Sequence, residues 1–107
     1  RDMPIGGYDH NFVLEKAAPR AFAEAAVLCG GRLCMRVSTD MPCLQLYTAG
    51  GMDGAVPFKG GVAQTPFGAV CLETQFEPDS PRLANGFGVL RPDAPFESCT
   101  VYAFAGR

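Results

Sequence analysis

Thirteen glycines and nine prolines interrupt a chain of only 107 residues, and that density of turn formers limits what the chain can fold into. Short segments between frequent turns suit an antiparallel β-sandwich better than a helical bundle. The segments themselves agree. From Arg32 to Ser38, Leu33, Met35 and Val37 alternate with Arg32, Cys34, Arg36 and Ser38, the period-two pattern of a half-buried strand. Val101-Tyr102-Ala103-Phe104 reads as a second strand. Leu44 to Thr48 reads as a third, with Gln45 and Tyr47 on one face, and Asn11 to Glu15 as a short fourth. In the run Cys71-Leu72-Glu73-Thr74-Gln75, a strand puts Cys71, Glu73 and Gln75 on one face and Leu72, Thr74 and Phe76 on the other. The expected fold class is all-β.

One segment pulls the other way. Pro19 to Cys29 holds four alanines, with Pro19 suited to a first helical position and Gly30-Gly31 to a C-terminal stop. Propensity alone makes it a helix. The competing arrangement is a strand over 21–28, joined by a two-residue Gly30-Gly31 loop to the strand that starts at Arg32. A Gly-Gly pair suits the primed hairpin turns, whose backbone needs positive φ. Elsewhere Ala49-Gly50-Gly51-Met52-Asp53-Gly54, Lys59-Gly60-Gly61 and Pro78 to Pro81 read as loops. No repeat, low-complexity tract or domain boundary is visible.

Composition narrows the function classes. The chain is 48% hydrophobic and 19% charged, with net charge −2 from nine Lys and Arg against eleven Asp and Glu. That is ordinary for one globular domain. There is no basic run, so nucleic acid and anionic membranes are poor partners. No apolar stretch approaches membrane-spanning length, and Arg1-Asp2-Met3-Pro4 is not a signal peptide. The start on Arg1 points to a chain that begins partway into a longer protein. Five cysteines (Cys29, Cys34, Cys43, Cys71 and Cys99) form no Cys-x-x-Cys pair, and His10 is the one histidine, which argues against a zinc site. An odd number favours free, mostly buried thiols in a reducing, cytoplasmic compartment over a disulfide framework. A Cys29–Cys34 bridge across the hairpin is the minor alternative.

Four groups could carry chemistry. Gly86-Phe87-Gly88 starts like a phosphate-binding fingerprint, but it lacks the third glycine and Pro92 stands where a helix should continue. Its glycines serve a bend. Asp9, in Gly7-Tyr8-Asp9-His10-Asn11-Phe12, has an ordinary role available as a turn residue bonding nearby amides. Gln45 can grip a hydroxyl in either sense, because its amide offers both an acceptor and two donors. Glu73 lies at the centre of a polar strand face, ahead of the turn Glu77-Pro78-Asp79-Ser80-Pro81. An exposed strand carboxylate needs no function.

Taken together, the three segments around Asp9, Gln45 and Glu73 resemble the C-terminal third of the aldose 1-epimerase family, the galactose mutarotases. The resemblance rests on Gly7-Tyr8-Asp9-His10-Asn11-Phe12, on Pro42-Cys43-Leu44-Gln45-Leu46-Tyr47-Thr48 and on Leu72-Glu73-Thr74-Gln75, in that order. Pro78-Asp79-Ser80, Val89-Leu90-Arg91-Pro92 and the strand Thr100 to Phe104 follow the family's tail. It implies that residues 1–107 are the C-terminal portion of a single domain, part of a large antiparallel β-sandwich, and it favours the hairpin over the helix. It implies Glu73 as catalytic base and Asp9 and Gln45 as ligands of sugar hydroxyls, with His10 and Asn11 holding the loop. The reaction would interconvert the α and β anomers of a hexose such as galactose or glucose, with a monosaccharide as partner and no metal or organic cofactor. A carboxylate within reach can take the proton of the C1 hydroxyl, the more so if partial burial raises its pKa.

The sequence departs from the family in two places. The family's general acid is a histidine upstream of the first motif, and His10 is in the wrong position to replace it. The acid must therefore come from an N-terminal portion or a companion chain. Leu83-Ala84-Asn85-Gly86-Phe87 also replaces a more proline-rich stretch. Alternatives are a non-catalytic carbohydrate-binding or regulatory module of the same fold, a structural fragment without activity of its own, and an epimerase of hexose 6-phosphates. The last would need Arg32, Arg36, Arg82 and Arg91 gathered by folding.

Overall fold

A computed structural model describes residues 6–83 and 87–106. The start at Arg1-Asp2-Met3-Pro4 and most of the altered stretch, residues 84–86, lie outside the described residues. Among these the protein is all-β, with six strands and two single-turn 3₁₀ helices. The strands are β1 (Asp9–Val13), β2 (Ala23–Gly30), β3 (Leu33–Thr39), β4 (Cys43–Tyr47), β5 (Cys71–Gln75) and β6 (Thr100–Gly106). They form two three-stranded sheets, ordered β1-β4-β5 and β2-β3-β6. Two compact units emerge: Arg1–Phe12 with Gln45–Glu73, and Val13–Leu44 with Thr74–Arg107. None of the described helices is long and apolar enough to cross a membrane.

The second unit holds the β2-β3-β6 sheet, antiparallel throughout. The alanine-rich segment is therefore a strand and not a helix: seven residues paired with β3 override propensity. The hairpin loop falls one residue later than expected. Gly30 pairs with Leu33, which leaves Gly31-Arg32 as the loop. Gly31 has φ 58°, and glycine at the first loop position is what a type II′ turn asks for. A register shift between Glu24 and Ala26 marks a bulge at Ala25.

The register also corrects the cysteine expectation. Cys29 sits directly opposite Cys34 with Cα atoms 4.1 Å apart, and the two are bridged. Of the free thiols only Cys43 is buried, while Cys71 is half-buried and Cys99 exposed. The ground for a reducing compartment is weakened accordingly.

Among the described residues the buried apolar side chains are Val37, Met41, Pro42, Cys43, Leu44 and Ala49. All but Ala49 belong to the second unit. Ala26, Leu28, Met35, Val37, Tyr102 and Phe104 share one sheet face by register. Val37 is fully covered, yet Phe104 is 63% exposed, so this face is only partly covered by the described residues. Polar contacts bind the far end of the sheet. The buried Thr39 hydroxyl accepts the Met41 N–H (3.0 Å) and lies 2.9 Å from Thr100 Oγ1. Arg20 pairs with Asp40 at 2.6 Å, donates to the Glu97 carbonyl, and lies over the Phe76 and Phe96 rings. A fork donor with a flat face can meet all of these at once.

Candidate active site

The first unit contains all three residues singled out from the sequence. Asp9 opens β1, Gln45 is mid-β4 and Glu73 is mid-β5. Since β4 lies between the other two strands, the three occupy three adjacent strands of one sheet.

The β1–β4 register follows from two backbone bonds. Thr48 N–H donates to the Tyr8 carbonyl (2.9 Å), and Leu14 N–H donates to the Pro42 carbonyl (2.9 Å). The paired residue numbers have a constant sum, so the strands run antiparallel and Asp9 lies opposite Tyr47. Gln45 is then the diagonal neighbour of Asp9, within reach of a long side chain. It makes the contact: Gln45 Nε2 donates to Asp9 Oδ1 at 2.7 Å. Strand β1 begins at Asp9, two residues before the expected start. Tyr8 N–H donates to Thr48 Oγ1 at 2.9 Å, so pairing with β4 draws the supposed loop into the ladder.

Glu73 is exposed, in contrast to the partial burial invoked for a raised pKa. His10 does not reach the Asp9–Gln45 pair. Its Nδ1 accepts the Asp9 N–H at 3.0 Å and its ring packs edge-on against Tyr8, at the start of β1.

A small cavity of about 260 Å³ opens beside Asp9, lined by Gly7, Tyr8, Asp9, Tyr47, Gly50 and Gly51. The loop behind it is tightly built. Ala49 and Phe67 both adopt positive φ (55° and 59°) and are joined by the Phe67 N–H to the Ala49 carbonyl (3.1 Å). Such backbone is costly for side-chain-bearing residues and tends to occur at functional sites. A Cβ on Gly7 would sit 2.5 Å from Thr48 Oγ1 and 2.8 Å from the Phe67 ring, so only glycine fits. Tyr47 had no role assigned from the sequence. The signal was there, because it shares the Gln45 face of β4 by simple alternation.

Residue type and placement thus define an all-β protein with an acid–amide pair, two phenols and a second carboxylate carried on adjacent strands of one sheet. The sequence matches the pattern of the aldose 1-epimerase family over residues 1–103, and the chain belongs to that family. It is 33% identical to a galactose mutarotase of Mus musculus and 30% identical to one of Homo sapiens, each over 98% of this chain and 31% of the relative. An aldose 1-epimerase of Escherichia coli is 32% identical over 94% of this chain and 30% of its own length. The chain spans about a third of the relatives it matches, in their C-terminal part.

Proposed function

We propose that this chain supplies the base and two sugar-binding side chains of an aldose 1-epimerase that interconverts hexose anomers, galactose or glucose being the expected substrates. The observation that carries the reading is the Gln45–Asp9 hydrogen bond, which joins an amide to a carboxylate that lines a small cavity in a chain of this family. Both groups keep spare capacity: Asp9 Oδ2 and Gln45 Oε1 can each accept a hydroxyl proton.

In this reading the Glu73 carboxylate removes the proton of the anomeric C1 hydroxyl. A separate acid delivers a proton to the ring oxygen as the C1–O5 bond breaks, which leaves a free aldehyde. Rotation about C1–C2 exposes the other carbonyl face. The transfers then reverse and close the opposite anomer, returning both protons. The acid comes from outside these residues, from an N-terminal portion or a companion chain, and residues 1–107 act as the C-terminal portion of one catalytic domain. The exposed apolar side chains of the β2-β3-β6 sheet support that need for a partner segment. A cytoplasmic location goes with this reading. The three free cysteines favour it and the Cys29–Cys34 bridge does not.

Polarimetry of freshly dissolved α-galactose tests the proposal, using the chain together with the N-terminal portion of a relative. Acceleration should fall by roughly 100-fold or more in Glu73→Gln, with the unfolding midpoint unchanged. Equal rates in the two proteins would remove Glu73 as the base. Sugar binding without any acceleration would favour a non-catalytic carbohydrate-binding module.

A further inference from the structure

Tyr47 forms a wall of the cavity beside Asp9, and nothing in the proposed chemistry yet uses it. It is half-buried on β4, directly opposite Asp9 in the β1–β4 register and on the same sheet face as Gln45. Among the described residues its hydroxyl has no hydrogen-bond partner. That is unusual for a partly covered tyrosine, whose O–H normally finds one. The space in front of the hydroxyl is kept by glycine: a Cβ added to Gly51 would stand 3.5 Å from it, and any longer side chain would compete for the same room.

We propose that Tyr47 is a positioning residue for the sugar, its ring packing against the C–H face of the pyranose and its hydroxyl bonding a ring substituent. This rests on the mutarotase reading above. The chemistry suits an uncharged sugar. A pyranose offers a patch of polarised C–H groups to a ring face and hydroxyls at its rim, and a phenol meets both without a large loss of side-chain entropy. The remaining walls agree, with one carboxylate to accept hydroxyl protons and a second phenol from Tyr8. Among the described residues no cationic side chain lines the cavity, so a sugar phosphate gains nothing from this wall. The volume, below the ~300–1,000 Å³ of drug-sized sites, has room for a single sugar ring.

Tyr47 does not touch the reacting atoms in this proposal, so its removal should act on binding more than on turnover. In the native protein, the test measures polarimetric saturation curves for galactose with Tyr47→Leu and Tyr47→Phe, alongside galactose binding by ligand-observed NMR. Tyr47→Leu should raise KM roughly tenfold or more while kcat changes less than about threefold. Tyr47→Phe keeps the ring and loses only the hydroxyl, so its KM should rise by a smaller factor, about three to fivefold. It also serves as the readable variant should Tyr47→Leu fail to fold. Unchanged KM and NMR affinity in both variants, with active wild-type protein, would overturn the role of Tyr47 and leave the mutarotase reading standing. Wild-type protein that neither binds nor turns over galactose would overturn both. A kcat that falls as far as kcat/KM would place Tyr47 in the chemical step and refute a positioning role.

Discussion

The two units spend their sequence differently. The second pairs three strands of seven or eight residues each and, among the described residues, holds every buried apolar side chain but Ala49. Its polar groups largely satisfy one another: Arg20 with Asp40, Thr39 with Thr100, Lys16 with two carbonyls. Among its described residues the first buries Ala49 alone of the apolar ones. It relies on backbone bonds, glycines in close approach and two left-handed side-chain-bearing residues, and its Tyr47 hydroxyl, beside a cavity, has no partner among the described residues. Spare polar capacity is what a ligand needs, while satisfied polar groups and covered methyls are what stability needs. The difference teaches that stability and recognition are separable in this chain, and substitutions can test how cleanly.

The largest effect on stability should come from Val37→Ala. Val37 is fully buried at the centre of β3, so losing two methyl carbons should cost about 2 kcal/mol. For a domain of this size that is roughly 10 °C in Tm. Sugar affinity, extrapolated to the fully folded protein, should not change. Affinity that fell in step with Tm would break the separation between the units.

Gly7→Ala asks the converse. Its Cβ would collide with Thr48 Oγ1 and the Phe67 ring, and Thr48 is what holds Tyr8, next to Asp9. The overpacking should cost about 1–2 kcal/mol, less than Val37→Ala. Galactose affinity should nonetheless fall severalfold, because Asp9 and Tyr8 shift together. Titration calorimetry beside a thermal melt reads both quantities. A Tm loss without a loss of affinity would mean that the cavity beside Asp9 is not where the sugar sits.

How far all this was legible depends on whether the information is local. The alternation of Leu33, Met35 and Val37 announced β3, and Val101 to Phe104 announced β6, because period two is written in consecutive residues. The strand identity of the alanine-rich segment was not local. Its four alanines argue for a helix, and only pairing with β3 decides otherwise. The bulge at Ala25 and the one-residue offset of the hairpin loop are set by that pairing too. The same is true of Cys29 and Cys34, whose partnership is a statement about register that an odd cysteine count obscures. At the site, the motifs shared with the family flagged Asp9, Gln45 and Glu73, but the Asp9–Gln45 bond required knowing that Tyr8 lies opposite Thr48. The two units stayed hidden because each is assembled from separate stretches of chain, so no composition shift marks a boundary.

The smallest expected effect sharpens the comparison from within the second unit. Lys16 Nζ donates to the Thr39 and Met41 carbonyls at 2.7 and 2.6 Å. Burial lowers its pKa below the ordinary 10.5, with nearby Asp40 pulling the other way and Arg20 adding to the fall. The charged form is thus less favoured in the folded protein than in the unfolded chain. A group with a depressed folded pKa stabilises the fold most above its unfolded value, and that contribution fades as pH falls through the folded value. Stability relative to Lys16→Met should therefore improve as pH rises from neutrality toward 10.5. The uncharged amine can still serve both carbonyls, since it keeps two protons. A difference in Tm that stays flat, or narrows, over that range would mean that attraction to Asp40 outweighs burial, and that this polar clamp resembles an ordinary surface contact more than part of the core.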